Sequence, residues 1–152
     1  STQSVPMAQL LGTLGDALRQ SFSETSAHVP LEITCDPITL PVAEAIPIAL
    51  ITNEAVTNAY KHAFSHDSLG QVTVHLQCTP EDDLVLRVAD TGIGLQPHDG
   101  EGGTGFKLIR LFASQLHGML EFAEQPGRGG TVITLTIQRR PQDTVRRLTD
   151  SP

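Results

Sequence analysis

The sequence predicts an α+β fold, a two-layer sandwich in which helices cover one face of a mixed, mostly antiparallel sheet. Three observations support this prediction. Two neighbouring segments, residues 72–76 and 84–88, alternate apolar and polar side chains with a period of two, as strands do. A short polar connection joins these segments, which is typical of a hairpin. Helical patterns lie before and after the strands as separate blocks, and segregated helices beside consecutive strands indicate an α+β domain.

Composition limits the class of protein. The chain has 152 residues, 39% hydrophobic and 18% charged, which suits one domain with its own core. No apolar run approaches the roughly 20 residues of a membrane span, so we expect a cytoplasmic domain without membrane contact. The net charge of −7 argues against nucleic-acid binding, because phosphate contacts need clustered Lys and Arg. Cys35 and Cys78 lack metal-ligand spacing and lie in predicted strands, so we expect them to be core thiols.

The first half of the chain contains two helical patterns and one short strand. Apolar residues recur at near-helical spacing from Val5 to Phe22 and predict an amphipathic helix. A strand, Leu31–Cys35, follows a proline. The next apolar stretch is too long for a strand, and we expect a helix from about Ile46 to Ala63. Pro47 is compatible with this helix only in its first turn or at a kink.

The second half contains the predicted hairpin, a glycine-rich loop over residues 90–105, one helix and two further strands. The helix is expected to run from about Gly105 to Leu116 and to end at Gly118 in the left-handed conformation that glycine favours. The last two strands are expected at residues 120–123 and 131–138.

We expect one domain over residues 1–140. The polar segment 141–152 lacks periodicity, which predicts a disordered tail or a linker. The chain begins with Ser1 within a predicted helical region, so we interpret it as part of a longer protein.

The first candidate for chemistry lies on the long helix. Glu54 and Asn58 are four residues apart and therefore share one helix face, and Lys61 lies three residues further along it. A carboxylate, an amide oxygen and an ammonium group suit a site for a metal ion and phosphates. The same spacing also occurs on ordinary solvated helices, so this pattern alone leaves both interpretations open.

The second candidate is the segment Asp90-Thr91-Gly92-Ile93-Gly94, directly after a strand. A carboxylate at a strand end is held rigidly, and the two glycines allow a ligand to approach the backbone closely. Such a carboxylate can accept a hydrogen bond from an exocyclic amine such as that of adenine. A simple turn is the alternative.

The third candidate is the glycine-rich segment 100–106, which opens a helix and could present free N–H groups to phosphate. It also matches the G-x-G-x-x-G pattern of dinucleotide-binding proteins. That motif must directly follow a strand in a parallel βαβ unit, whereas here a loop containing Pro97 intervenes. We therefore reject the dinucleotide interpretation.

In this order, the three segments resemble the N, G1 and G2 boxes of the ATPase superfamily shared by gyrase, Hsp90, histidine kinases and MutL. The resemblance covers about residues 40–137 and includes Gly129-Gly130-Thr131 before the last strand. The segment Leu50–Phe64 is most similar to histidine kinases whose N box carries Asn-Glu-Leu. The resemblance implies the ATP-binding fold called the Bergerat or GHKL fold.

The resemblance also implies roles for individual residues. Asn58 falls on the position of the Mg²⁺ ligand, and Asp90 falls on the position that binds adenine. The other positions that the resemblance assigns to the nucleotide site are Lys61 and His62 near the phosphates, Gly92, Ile93 and Gly94 in the pocket floor, Gly103, Thr104, Gly105 and Phe106 at the hinge of a short lid (residues 96–102), and Thr131.

Three positions depart from the usual pattern. Glu54 stands where hydrolytic members keep a general base and many orthodox histidine kinases keep an asparagine, so its catalytic role is open between a base and a group that positions Mg²⁺ through water. Thr104 and Phe106 stand where leucines are more usual, which affects the packing expected at the lid hinge.

The function that the resemblance implies is transfer of phosphate from Mg·ATP to a histidine on a dimerisation domain outside this chain, with a response regulator as the downstream acceptor. The six histidines of the chain lack the helical context of a phosphoacceptor. Two alternatives are a serine kinase of the anti-sigma type and a non-catalytic domain that senses nucleotide.

Overall fold

A computed structural model describes residues 3–65, 68–94, 104–125, 127 and 129–139, with residues 104 and 105 described by their backbone. The helices are α1 (Met7–Ser21), α2 (Ser23–His28), α3 (Val42–Asn58) and α4 (Thr104–Gln115). One turn of π-helix, Ala59–Ala63, continues α3. The strands are β1 (Ser4–Pro6), β2 (Leu31–Cys35), β3 (Thr39–Pro41), β4 (Val72–Cys78), β5 (Leu84–Asp90), β6 (Met119–Glu124) and β7 (Thr131–Ile137).

Five strands form the main sheet in the order β2-β4-β5-β7-β6. Strand β2 runs parallel to β4, and the other neighbours are antiparallel. The predicted mixed, mostly antiparallel sheet is therefore confirmed. Strands β1 and β3 pair separately as a small ribbon that leads directly into α3.

The core lies between one face of the sheet and the helices α1, α3 and α4. Three alternate residues of β4, Val72, Val74 and Leu76, are at most 1% exposed. Helix α3 buries Ile51 and Ala55 in the same core. The opposite sheet face is the more exposed one, which explains the period-two pattern of the strands. In the described ranges, no helix is both long and apolar enough to cross a membrane.

The long helix begins earlier than the sequence predicted. It starts at Val42, four residues before Ile46, and Pro47 is its sixth residue rather than part of its first turn. A proline there removes one backbone hydrogen bond, to the carbonyl of Ala43. The helix buries Ala45, Pro47 and Ile48, and this burial outweighs the lost bond.

The end of α4 also differs from the prediction. The left-handed residue is His117, with φ of 53°, and Gly118 is not left-handed. The N–H of Gly118 donates to the carbonyl of Ala113 over 2.9 Å and closes the helix. A Cβ on Gly118 would lie 2.6 Å from Cδ1 of Leu135 and 3.3 Å from the carbonyl oxygen of Thr136, so close packing against β7 favours glycine here.

Two further predictions were incomplete. The first helix begins at Met7, because Val5 belongs to β1, and α2 follows it as a separate short helix. Cys35 and Cys78 lie in β2 and β4 as free thiols, but they are half-buried rather than enclosed. Burial raises the pKa of both thiols, and nearby Asp36 raises that of Cys35 further.

Candidate functional site

Asp90 ends β5 and is 8% exposed. Its Oδ1 accepts a hydrogen bond from the N–H of Gly92 over 2.9 Å and a longer one from the N–H of Thr131 over 3.4 Å. Burial raises the pKa of this carboxyl group, and the two backbone donors partly oppose the rise. Asp90 is therefore a fixed, desolvated acceptor at the end of this strand.

The loop after Asp90 packs against the end of the long helix. The N–H of Ile93 donates to the carbonyl of Ala63, the last residue of the π-helical turn, over 2.9 Å. A Cβ on Gly92 would overlap that same carbonyl, so Gly92 permits the contact. This contact places the second candidate segment against the end of the helix that carries the first.

The helix face that carries the first candidate group is open. Glu54 and Asn58 are half-buried, while Lys61 and His62 are exposed. Among the described residues, no side-chain hydrogen bond or ion pair engages any of these four groups. Amide and carboxylate oxygens without protein partners can accept a metal ion or its waters, so the donor set fits Mg²⁺.

The side chains of the π-helical turn point in two directions, into the core and out to solvent. Tyr60 points inward, where its hydroxyl donates to the carbonyl of Val29 over 2.8 Å and its ring packs on Phe22. Lys61 and His62 stay exposed on the same turn. One-turn π-helices within longer helices are frequent at functional sites.

The two glycines directly before β7 lie beside Asp90. Gly129 and Gly130 have φ of 73° and 91°, in the left-handed range. A Cβ on Gly130 would overlap the backbone carbonyl of Asp90. A Cβ on Gly94, which also has positive φ, would lie 3.6 Å from the carbonyl of Gly130. Glycine is therefore required where the two loops meet.

Phe106 lies near the start of α4 and packs on Phe122 of β6, with ring centroids 5.0 Å apart. The guanidinium of Arg110 lies 5.1 Å above the same Phe122 ring. Phe106 is thus half-buried against the sheet and anchors the beginning of α4.

The sequence profile of the family described as histidine kinase-, DNA gyrase B- and HSP90-like ATPases matches residues 43–141. This match spans α3, the π-helical turn and the sheet from β4 to β7. The chain belongs to this ATPase family.

Individual relatives agree with this family. The nitrate/nitrite sensor protein NarQ of Escherichia coli is 29% identical over 89% of this chain. Blue-light-activated histidine kinase 2 of Erythrobacter litoralis is 27% identical over 93% of it. The chain spans only 23% and 40% of the lengths of these two proteins.

A solved structure, the histidine kinase domain of the Erythrobacter litoralis EL346 blue-light activated histidine kinase, superposes with a TM-score of 0.80 at 25% identity. The superposition covers 97% of this chain and 67% of that one. The predicted GHKL-type fold is therefore confirmed.

Some predicted site residues of this ATPase domain lie outside the described residues, including Gly103 and the lid at residues 96–102. Thr104 and Gly105 are the first two residues of α4. Thr131 begins β7 next to Asp90 and is 8% exposed.

Two residues near Asp90 were not predicted from the sequence. The side-chain amide of Gln125 donates to the backbone carbonyl of Asp90 over 2.6 Å. On the other side, the N–H of Gln71 donates to Oγ1 of Thr91 over 2.9 Å, and the N–H of Thr91 donates back to the carbonyl of Gln71 over 3.1 Å. The polar residue after β6 and the one before β4 were the only signals, and they do not distinguish such contacts from ordinary loop residues.

Proposed function

We propose that this domain binds Mg·ATP and donates the γ-phosphoryl group to a histidine on a dimerisation domain elsewhere in the same protein, in the cytoplasm. The observation that carries the proposal is the contact between the Asp90 loop and the end of the Asn58 helix. It joins a buried acceptor suited to adenine and an open face suited to Mg²⁺ and phosphate in one site. A response regulator is the expected downstream acceptor.

Each side chain has a specific part in this proposal. The carboxylate of Asp90 accepts a hydrogen bond from the exocyclic amine of adenine. The amide oxygen of Asn58 is the protein ligand for Mg²⁺, which would neutralise charge on the phosphates. Lys61 and His62, exposed on the same turn, add positive charge beside the phosphates.

Glu54 precedes Asn58 by one helical turn on the same open face. Two catalytic roles suit its free carboxylate: a base that accepts a proton, or a group that holds a water on the metal ion. Transfer from ATP depends mainly on positioning and charge neutralisation, so in the second role Glu54 would act by orienting the reacting groups.

The test supplies the histidine-bearing domain as a separate polypeptide, together with this chain, Mg²⁺ and ATP labelled on the γ-phosphate. Label that moves to the supplied domain and is released by mild acid is expected, because phosphohistidine is acid-labile. Calorimetry of ATP binding is run beside it. A chain that binds no ATP would overturn the proposal, and a chain that binds ATP without any transfer would be a nucleotide sensor.

A serine kinase of the anti-sigma type is the second candidate. The anti-sigma F factor of Lysinibacillus sphaericus is 29% identical over 133 residues, which is 78% of this chain and 86% of that protein. The same labelling experiment separates the two functions. Label that stays on a supplied substrate protein after acid treatment identifies phosphoserine and would favour this second function.

Asn58→Ala tests the metal assignment. We expect the Mg²⁺-dependent part of the ATP affinity to fall by at least about tenfold, because loss of even an indirect metal contact typically costs that much. ATP binding in EDTA should change little. Calorimetry with and without Mg²⁺ measures both quantities.

Asn53→Ala is the matched control, since Asn53 lies on the same helix about 140° around its axis from Asn58. It should leave the Mg²⁺ dependence unchanged. An Asn58 variant that binds Mg·ATP as tightly as the Asn53 variant would refute the assignment.

A further inference from the structure

We propose that Gln125 is a positioning residue that sets the direction of the Asp90 carboxylate and thereby the selectivity for adenine; this rests on the proposed function. Gln125 directly follows β6 and is half-buried. Its side-chain amide donates to the backbone carbonyl of Asp90 over 2.6 Å, across 35 positions of sequence.

The pairing of β5 with β7 explains why this bond is needed. The ladder ends at the pair Ala89 and Val132. The next pair in that register would be Asp90 and Thr131. A continued ladder would let the N–H of Thr131 donate to the backbone carbonyl of Asp90. Instead, the N–H of Thr131 donates to the side chain of Asp90.

The carbonyl of Asp90 therefore lacks a strand partner on the β7 side, and Gln125 supplies the donor in its place. Buried carbonyl groups require a partner, because an unpaired polar group in the protein interior is costly. The hydrogen bond from Thr131 to the side chain of Asp90 also determines which carboxylate oxygen stays free. Two backbone donors occupy Oδ1, and among the described residues no donor reaches Oδ2. Oδ2 is the oxygen left for a ligand.

Gln125 also bonds to Gly130, directly before β7. Its own N–H donates to the carbonyl of Gly130 over 3.0 Å, and Gly130 lies against the Asp90 carbonyl. One residue thus bonds to both loops at their point of contact. Without the side-chain amide, the carbonyl of Asp90 would turn toward another donor, and the carboxylate would turn with it.

The test compares two nucleotides on the whole chain: ATP, and purine riboside 5′-triphosphate, which lacks the exocyclic amine. Gln125→Met keeps the length of the side chain and removes the donor. We expect the ratio of the two affinities, measured by calorimetry, to fall by roughly fivefold or more, because the variant loses the contribution of the amine. Gln115→Leu, an exposed glutamine on α4, is the control and should leave the ratio unchanged.

A purely structural role for Gln125 would weaken both nucleotides equally and leave the ratio constant, which would overturn the proposal, as would no change in either affinity. Thermal unfolding confirms that the variant is folded. If Gln125→Met does not fold, Gln125→Leu is measured instead, since it also lacks the donor and carries no charge. A wild-type chain that binds neither nucleotide would instead overturn the proposed function.

Discussion

Asp90→Asn is expected to weaken ATP binding by roughly 10- to 100-fold, the effect of losing a hydrogen bond to a charged group. Oδ1 of Asp90 accepts two backbone N–H groups, so the single amide oxygen of asparagine can serve them or the adenine amine, but not both. In either orientation an NH₂ group faces another donor. Calorimetry with ATP measures the loss, and an affinity within about twofold of wild type would contradict the adenine-binding role of Asp90.

The same substitution should leave the fold at least as stable at pH 7. Burial raises the pKa of Asp90 above the ordinary value of 3.8. A carboxyl group with a higher pKa in the folded state destabilises that state once it ionises, and the penalty grows as the pH rises through the folded pKa. Asparagine does not ionise and avoids this penalty.

The stability gain of Asp90→Asn over wild type should therefore be largest at neutral pH and shrink as the pH is lowered toward the ordinary carboxyl pKa. Urea unfolding of both proteins between pH 7 and pH 4.5 measures this trend. A difference that grows toward low pH would show that the backbone hydrogen bonds, and not burial, dominate at this residue.

The sequence predicted the strands of the sheet well, because their signal is local. Strands β4 and β5 pair over seven residues, and their buried side chains alternate as the sequence does. It did not predict the β1–β3 ribbon, whose strands have three residues each and contain prolines. Strands that short have no period to detect.

The misplaced features depend on tertiary contacts. From the sequence, Pro47 was expected only in a first turn or at a kink, yet packing of its neighbours against the core extends the helix four residues further back. Gly118 has the residue type expected of a helix cap, but its close packing against β7 is what favours glycine there. Neither contact can be read from local sequence.

In the candidate site too, residues with a local sequence pattern were predicted, and residues that depend on tertiary contacts were not. Asn58 and Asp90 were predicted because each belongs to a segment with its own recognisable pattern. The structure adds that Gly92 and Ile93 bring the two segments together through Ala63. Gln125 was missed because its partner is a backbone carbonyl, which carries no residue-type signal.

Gly130→Ala is expected to destabilise the fold by at least about 3 kcal/mol, the upper end of what single substitutions usually cost. Two effects combine at this position. Its φ of 91° is unfavourable for any residue with a side chain, and the new Cβ would overlap the carbonyl of Asp90. The free energy of unfolding, measured with urea, reports their sum.

Gly127→Ala separates the two effects. Gly127 also has positive φ, at 73°, but a Cβ there would have no neighbour within 4 Å among the described atoms. This variant should lose only about 1 kcal/mol, the cost of the backbone conformation. The difference between the two variants then measures the overlap with Asp90, and equal losses would contradict that contact. Because relief of the overlap must move the Asp90 carbonyl, Gly130→Ala should lose ATP affinity together with stability, whereas Asp90→Asn loses affinity alone.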